Sequence, residues 1–140
     1  MSVVMPQNVE KLATLDTPEK FKAFILKHME EPLKSVDVLY NQVLMVIFVR
    51  PEKTSGGIIR PFANVQEDIW QGKAGLVLKL GPTAFKDDDT YSFHGQKVDV
   101  GEWGIFKVGD AWSVQVAGFG CRLVTDSSIR LKVGNPNVIF

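Results

Sequence analysis

The sequence predicts a mainly β fold: a small irregular barrel carrying an N-terminal arm and one short α-helix. Three observations predict it. Short apolar runs rich in β-branched residues recur from Val36 onward, and glycines punctuate them at a spacing of about eight to twelve residues. A helical period appears in one stretch near the N-terminus. The chain has 140 residues, 45% of them apolar and 23% charged, which suffices for one hydrophobic core and one domain with an arm.

Met1 to Leu15 has no clear period and reads as an extended arm. The next stretch, "LDTPEKFKAFILKHMEEP", carries helix signals at both ends. Either Asp16 caps with Glu19 three residues on, or Thr17 caps with Pro18 in the first helical position. Phe21, Phe24, Ile25, His28 and Met29 then fall on one stripe, and Pro32 stops the helix. A helix this short is unstable alone, so the stripe must lie on something. The chain therefore divides into an arm with an amphipathic helix over residues 1–35 and a barrel over residues 36–140, with a loop at 51–66 and an excursion at 82–97.

Within the barrel region, "VLMVIFV" (Val43–Val49) is continuous enough to be buried on both faces. "AGLVLKLG" (Ala74–Gly81) is a second strand bounded by glycines. "PTAFKDDDTYSFHGQ" is polar with scattered aromatics and reads as a long excursion, its Phe85, Tyr91 and Phe93 half-buried against a neighbour or packed within the segment. From Lys97 to Val124 several short strands are expected, punctuated by Gly101, Gly104, Gly109, Gly118 and Gly120, with Val108-Gly109-Asp110 as a hairpin turn. "SSIRLKVGNPNVIF" supplies one more strand and a turn.

Charge and composition exclude several function classes. Sixteen basic and sixteen acidic residues balance, the pI is near 6.7, and no Lys/Arg cluster marks a nucleic-acid face. The longest apolar run is far short of the roughly twenty residues needed to cross a bilayer. The N-terminus carries no secretory pattern, and the single cysteine, Cys121, fits a reducing compartment. The expected setting is soluble and intracellular.

Residues that could carry chemistry are few. His28, His94 and Cys121 stand too far apart in sequence to suggest a metal set, so no metal and no cofactor are expected. His28 reads as a packed histidine, His94 before Gly95 as a turn residue, and Cys121 as a small core residue. Asp87-Asp88-Asp89 lacks the glycine and terminal glutamate of a calcium loop and reads as a solvated turn. No nucleophile elbow, phosphate loop or acid–base carboxylate pair is present, so the expectation is a non-enzyme.

One segment remains without a chemical or architectural purpose. "TSGGIIRP" (Thr54–Pro61) puts two glycines and two exposed-looking isoleucines where a tight turn would do. Glycines free a backbone, and paired aliphatics there suit burial in another protein.

Five blocks together resemble the GroES-type co-chaperonins, especially the longer GroES-like proteins of tailed phages. "VLYNQVLMVIFVRP" is similar to the family's first strand and "GGIIRP" to its mobile loop. "GKAGLVLKLGP", "VDVGEWGIF" and "FGCRLVTDSSIRLKV" are similar to the strands that follow, so the match covers roughly Val38 to Val133. The resemblance implies an irregular GroES-like β-barrel that forms a ring, with Gly56, Gly57, Ile58, Ile59 and Arg60 as partner-binding residues. A mobile loop that orders only on docking gives modest, reversible affinity. Arg60 stands where the family has a third apolar anchor, the lead-in Arg50–Ser55 is short, and the arm and helix have no counterpart in the minimal family member. These departures favour a virion structural protein, a capsid decoration, cement or minor capsid protein. Its partners would be the major capsid protein or other virion proteins, met through the arm, the loop and the stripe Phe21, Phe24, Ile25 and Met29. The alternative is a phage co-chaperonin in the host cytoplasm that docks on a chaperonin apical domain. Either way a homo-oligomer is expected, without nucleic acid or membrane.

Overall fold

Secondary structure in the computed structural model follows the change of period read from the sequence, and residues 17–48 and 74–136 are described. The helix, α1, spans Pro18–Met29. Of the two caps expected, Thr17 is in place: its hydroxyl accepts from the Lys20 amide at 3.2 Å, and Pro18 opens the helix. Glu30 closes it, and Pro32 starts a short 3-10 turn, Pro32–Ser35, that leads into the sheet.

Among the described residues six strands follow: β1 (Gln42–Ile47), β2 (Ala74–Leu80), β3 (Trp103–Phe106), β4 (Trp112–Val116), β5 (Phe119–Thr125) and β6 (Ile129–Val133). All pairings are antiparallel, and the spatial order is β4-β5-β1-β2-β3-β6. The fold is thus mainly β, and among the described residues its sheet is open between β4 and β6.

The apolar run of β1 explains the rest of the architecture. Val43, Met45 and Ile47 point to one side of the sheet, while Leu44, Val46 and the following Phe48 point to the other, and all six are at most 2% exposed. On the second side lies α1, whose Phe21, Ile25 and Met29 join the strand residues in one core. The Phe21 ring meets the edge of Phe48 at 5.3 Å, and Phe48 meets Trp103 at 5.2 Å. On the first side, side chains from β1, β2, β3, β5 and β6 gather with Ala84 and Val98 around Met45. That convergence requires missing side chains. Gly75 and Gly104 are cross-strand partners, and a Cβ on either would come within 3.0 Å of the Met45 methyl.

Several expectations are corrected here. β3 and β4 are not a hairpin: the Val108–Asp110 turn carries the chain from β3, which pairs with β2 and β6, to β4, which pairs with β5. The β4–β5 hairpin turns instead at Ala117-Gly118, both in the left-handed region. Gly104 and Gly120 lie inside β3 and β5 rather than between strands. Phe21, Ile25 and Met29 of α1 share one core with side chains of β1, β2, β3 and β5.

Candidate functional site

The residues expected to make contacts fall into two groups. Gly56, Gly57, Ile58, Ile59 and Arg60, and the arm Met1–Leu15, lie outside the described residues. Phe21, Phe24, Ile25 and Met29, for which an assembly role is expected, are described, and three of them lie inside their own chain. Phe21, Ile25 and Met29 are 1%, 0% and 0% exposed inside their own chain. Phe24 is half-buried at the core's margin, stacked on His28 at 4.1 Å and edge-on to Phe119 at 6.1 Å. The stripe's hydrophobic surface is consumed by the sheet, because a helix this short needs that packing to exist. His28 packs at the edge of the stripe, its ring against Phe24 and 6.4 Å from that of Phe119, exposed on its outer side and with Nδ1 2.9 Å from the Phe24 carbonyl.

What the surface offers instead lies on β4 and at the turn into β1. Trp112, 79% exposed, starts the edge strand β4. Leu39 and Tyr40 are 60% and 74% exposed at the turn entering β1. This turn is held rigidly despite its exposure. Tyr40 has φ +54°, its carbonyl accepts from the Thr83 amide at 3.1 Å, and the Gly81 amide donates to Gln42 at 2.8 Å. Gly81 permits the approach, since a Cβ there would sit 2.1 Å from the Tyr40 oxygen.

The same corner anchors the excursion. Asp126, 3% exposed, accepts from the amides of Phe85 at 3.0 Å and Ser127 at 2.7 Å, and from the Asn41 side chain at 3.4 Å. Its own amide donates to the Asn41 carbonyl at 3.0 Å. One carboxylate thereby ties the start of β1, the excursion and the entry to β6. Farther out, Asp88 accepts from Thr90 and Tyr91 and Asp87 from the Phe93 amide, so the aspartate run scaffolds the loop. The amide and hydroxyl of Thr90 are the main reason the Asp88 carboxyl titrates below its usual range. Phe85, Phe93 and Tyr91 pack on one another, with centroid separations of 5.6 and 4.7 Å, so the packing-within-segment reading holds for them.

Between this excursion and β6 lies a groove of about 1040 Å³. Its charged rim is paired at the surface: Lys97 lies 3.5 Å from Asp99 and Lys132 3.4 Å from Glu102. Glu102 titrates below its ordinary range, chiefly because the Asp99 amide donates to it at 2.8 Å.

The titratable core groups are inert in character. Burial pushes the Cys121 thiol up to about 12, far from the thiolate a nucleophile requires. Burial also lowers Arg122, which lies on the opposite side of β5, as strand alternation demands. Among the described residues no three His, Cys, Asp or Glu side chains stand together as a metal site, and no helix is long and apolar enough to cross a membrane. Compared with known proteins, the chain matches no family model and no curated relative.

Sequence reasoning missed Asp126, Tyr40 and Trp112. Asp126 carried a faint signal, an aspartate directly before Ser-Ser at a strand junction. Trp112 carried none, since strand order is set by pairings between distant segments, and β4 ends the sheet only among the described residues.

Proposed function

We infer that the chain is a non-enzymatic structural module of a tailed-phage particle, a GroES-like barrel that works by lending surface elements to a larger assembly. The observation that carries this reading is the distribution of apolar surface. The helix stripe is spent internally, while Trp112 on β4 and the Leu39-Tyr40 turn before the central strand β1 stand exposed on a fold whose core is already filled. Large aromatic side chains held rigidly in solvent are the usual anchors of protein interfaces. The five sequence blocks that resemble GroES-type proteins supply the phage setting, and the major capsid protein is the proposed partner.

A second reading is favoured by the Gly56-Gly57-Ile58-Ile59 motif: a co-chaperonin that docks on a chaperonin. The internal use of the helix stripe also removes one reason to prefer a lattice clamp. Mass spectrometry of purified virions separates the two. The structural reading expects this chain at a fixed ratio to the major capsid protein, and its absence from particles would end that reading. The co-chaperonin reading expects nucleotide-dependent co-purification with a chaperonin, abolished by Ile58→Ser with Ile59→Ser.

A further inference from the structure

We propose that the groove between the excursion and β6 binds a neutral saccharide, with one sugar ring stacked on Tyr91 and its hydroxyls met by Gln96, Arg130 and the Lys97–Asp99 pair. This goes beyond the reading of the chain as a protein-contact module and does not depend on it.

The wall that carries Tyr91 is held in place although it faces solvent. Tyr91 is clamped through both of its backbone groups: its amide donates to the Asp88 carboxylate at 2.7 Å, and its carbonyl accepts from the Asp88 amide at 2.9 Å. The next amides are bound as well, that of Phe93 to Asp87, that of His94 to the Ser92 hydroxyl and that of Gln96 to the Phe93 carbonyl. His94 is kept at φ +53°, a conformation a residue with a Cβ adopts only where its surroundings over-determine it. The Tyr91 ring is 50% exposed and backed by Phe93. Opposite, Lys132 donates to the Lys97 carbonyl at 3.3 Å and bridges the two walls. A site built before its ligand arrives loses little freedom on binding.

The lining is charged but nearly balanced, and that balance selects the ligand. Lys97 and Lys132 already face Asp99 and Glu102, and the Asp126 carboxylate is taken up by the amides of Phe85 and Ser127. A phosphate, a sulfate or an acidic chain needs several cations to spare. Here Arg130 alone lacks a carboxylate partner among the described residues. A hydroxyl, by contrast, both donates and accepts, so two adjacent hydroxyls match a donor beside an acceptor. The Lys97–Asp99 pair, 3.5 Å apart, is such a couple, and the Gln96 amide is another. Arg130 adds a planar fork of donors. The C–H face of a sugar ring then needs an electron-rich apolar surface, which the Tyr91 ring supplies. At about 1040 Å³ the groove has room for a short oligosaccharide.

The test titrates the full isotope-labelled chain with maltotriose, cellotriose and tri-N-acetylchitotriose, each to about 10 mM, the range suited to millimolar binding. At least one should shift the amides of residues 91–99 and 130–132, with an affinity unchanged between low salt and about 0.5 M. Tyr91→Phe keeps the ring face and should bind like the parent. Tyr91→Ala and Arg130→Ala, each with an unchanged far-UV circular dichroism spectrum, should weaken binding at least about fivefold. The proposal is overturned if no trisaccharide shifts these residues, or if Tyr91→Ala binds undiminished. Tighter, salt-sensitive binding of inorganic phosphate at the same residues would overturn it too, by marking a charge-driven site. None of these results touches the presence of the chain in virions, so the two readings fail separately.

Discussion

Replacing Phe21 with alanine distinguishes a helix that clamps a neighbour from one that completes its own barrel. The ring is 1% exposed, lies between Phe48 and Trp103 at 5.3 and 5.8 Å, and shares its core with Ile25 and Met29. Removing a buried phenylalanine costs about 3–5 kcal/mol, transfer and cavity together. Domains of this kind are stable by about 5–15 kcal/mol, so the loss is a large share of the total. With a urea slope of about 2 kcal/mol per molar, the unfolding midpoint should fall by about 2 M. The assay is urea unfolding at two protein concentrations, followed by far-UV circular dichroism. An unchanged midpoint accompanied by loss of assembly would refute the packing argument and restore the clamp. A consequence follows for truncation: deleting residues 1–34 strips three core side chains and should unfold the barrel, whereas deleting 1–15 leaves α1 whole and isolates the arm.

Other outcomes follow from backbone geometry and titration. Gly81→Ala drives a Cβ to 2.1 Å from the Tyr40 carbonyl, so it should destabilise by about 3 kcal/mol or more, read as a thermal midpoint lowered by many degrees. Ala117→Gly relieves a left-handed alanine at φ +52° in the β4–β5 turn and should stabilise by about 0.5–1 kcal/mol, measured by the same melt. Asp88 and Glu102 have folded pKa values below their ordinary 3.8 and 4.5. Their contribution is present above those values and lost as pH falls through the folded ones, so changing either to its amide should lower stability near neutral pH and flatten its decline in acid, read by urea unfolding at several pH values. Cys121 behaves oppositely at the alkaline end. Its folded pKa of about 12 exceeds the ordinary 9.0, so its contribution is full below pH 9.0 and declines between 9.0 and about 12. A thiol reagent near pH 8 should find it unreactive until urea unfolds the chain.

The parts of the fold legible in the sequence are those set by local pattern. Thr17-Pro18 and the stripe gave α1, an unbroken apolar run gave a strand buried on both faces, and a small apolar thiol within a strand pattern gave a core position. What stayed hidden depends on residues far apart in the chain. Val108-Gly109-Asp110 has hairpin chemistry, yet β3 prefers β6 and β4 prefers β5, since the pairing is decided by which faces bury apolar surface. Gly104 reads as punctuation until Met45 and Ile129 are seen to need the space. The same holds for the candidate surfaces. The stripe looked like an interface because an isolated amphipathic helix carries no label saying whose sheet it covers. The groove beside β6 draws on residues 91–99 and 126–132, which no sequence window joins.

The strand order carries a cost during synthesis. β1 is flanked by β2, which starts at Ala74, and by β5, which ends at Thr125, so neither neighbour is local. While the ribosome is still adding the final third of the chain, six of its greasiest consecutive positions have no complete shelter. Expression at high rate should therefore favour insoluble product, and slowing translation or supplying a holdase should recover it more effectively than any stabilising surface substitution.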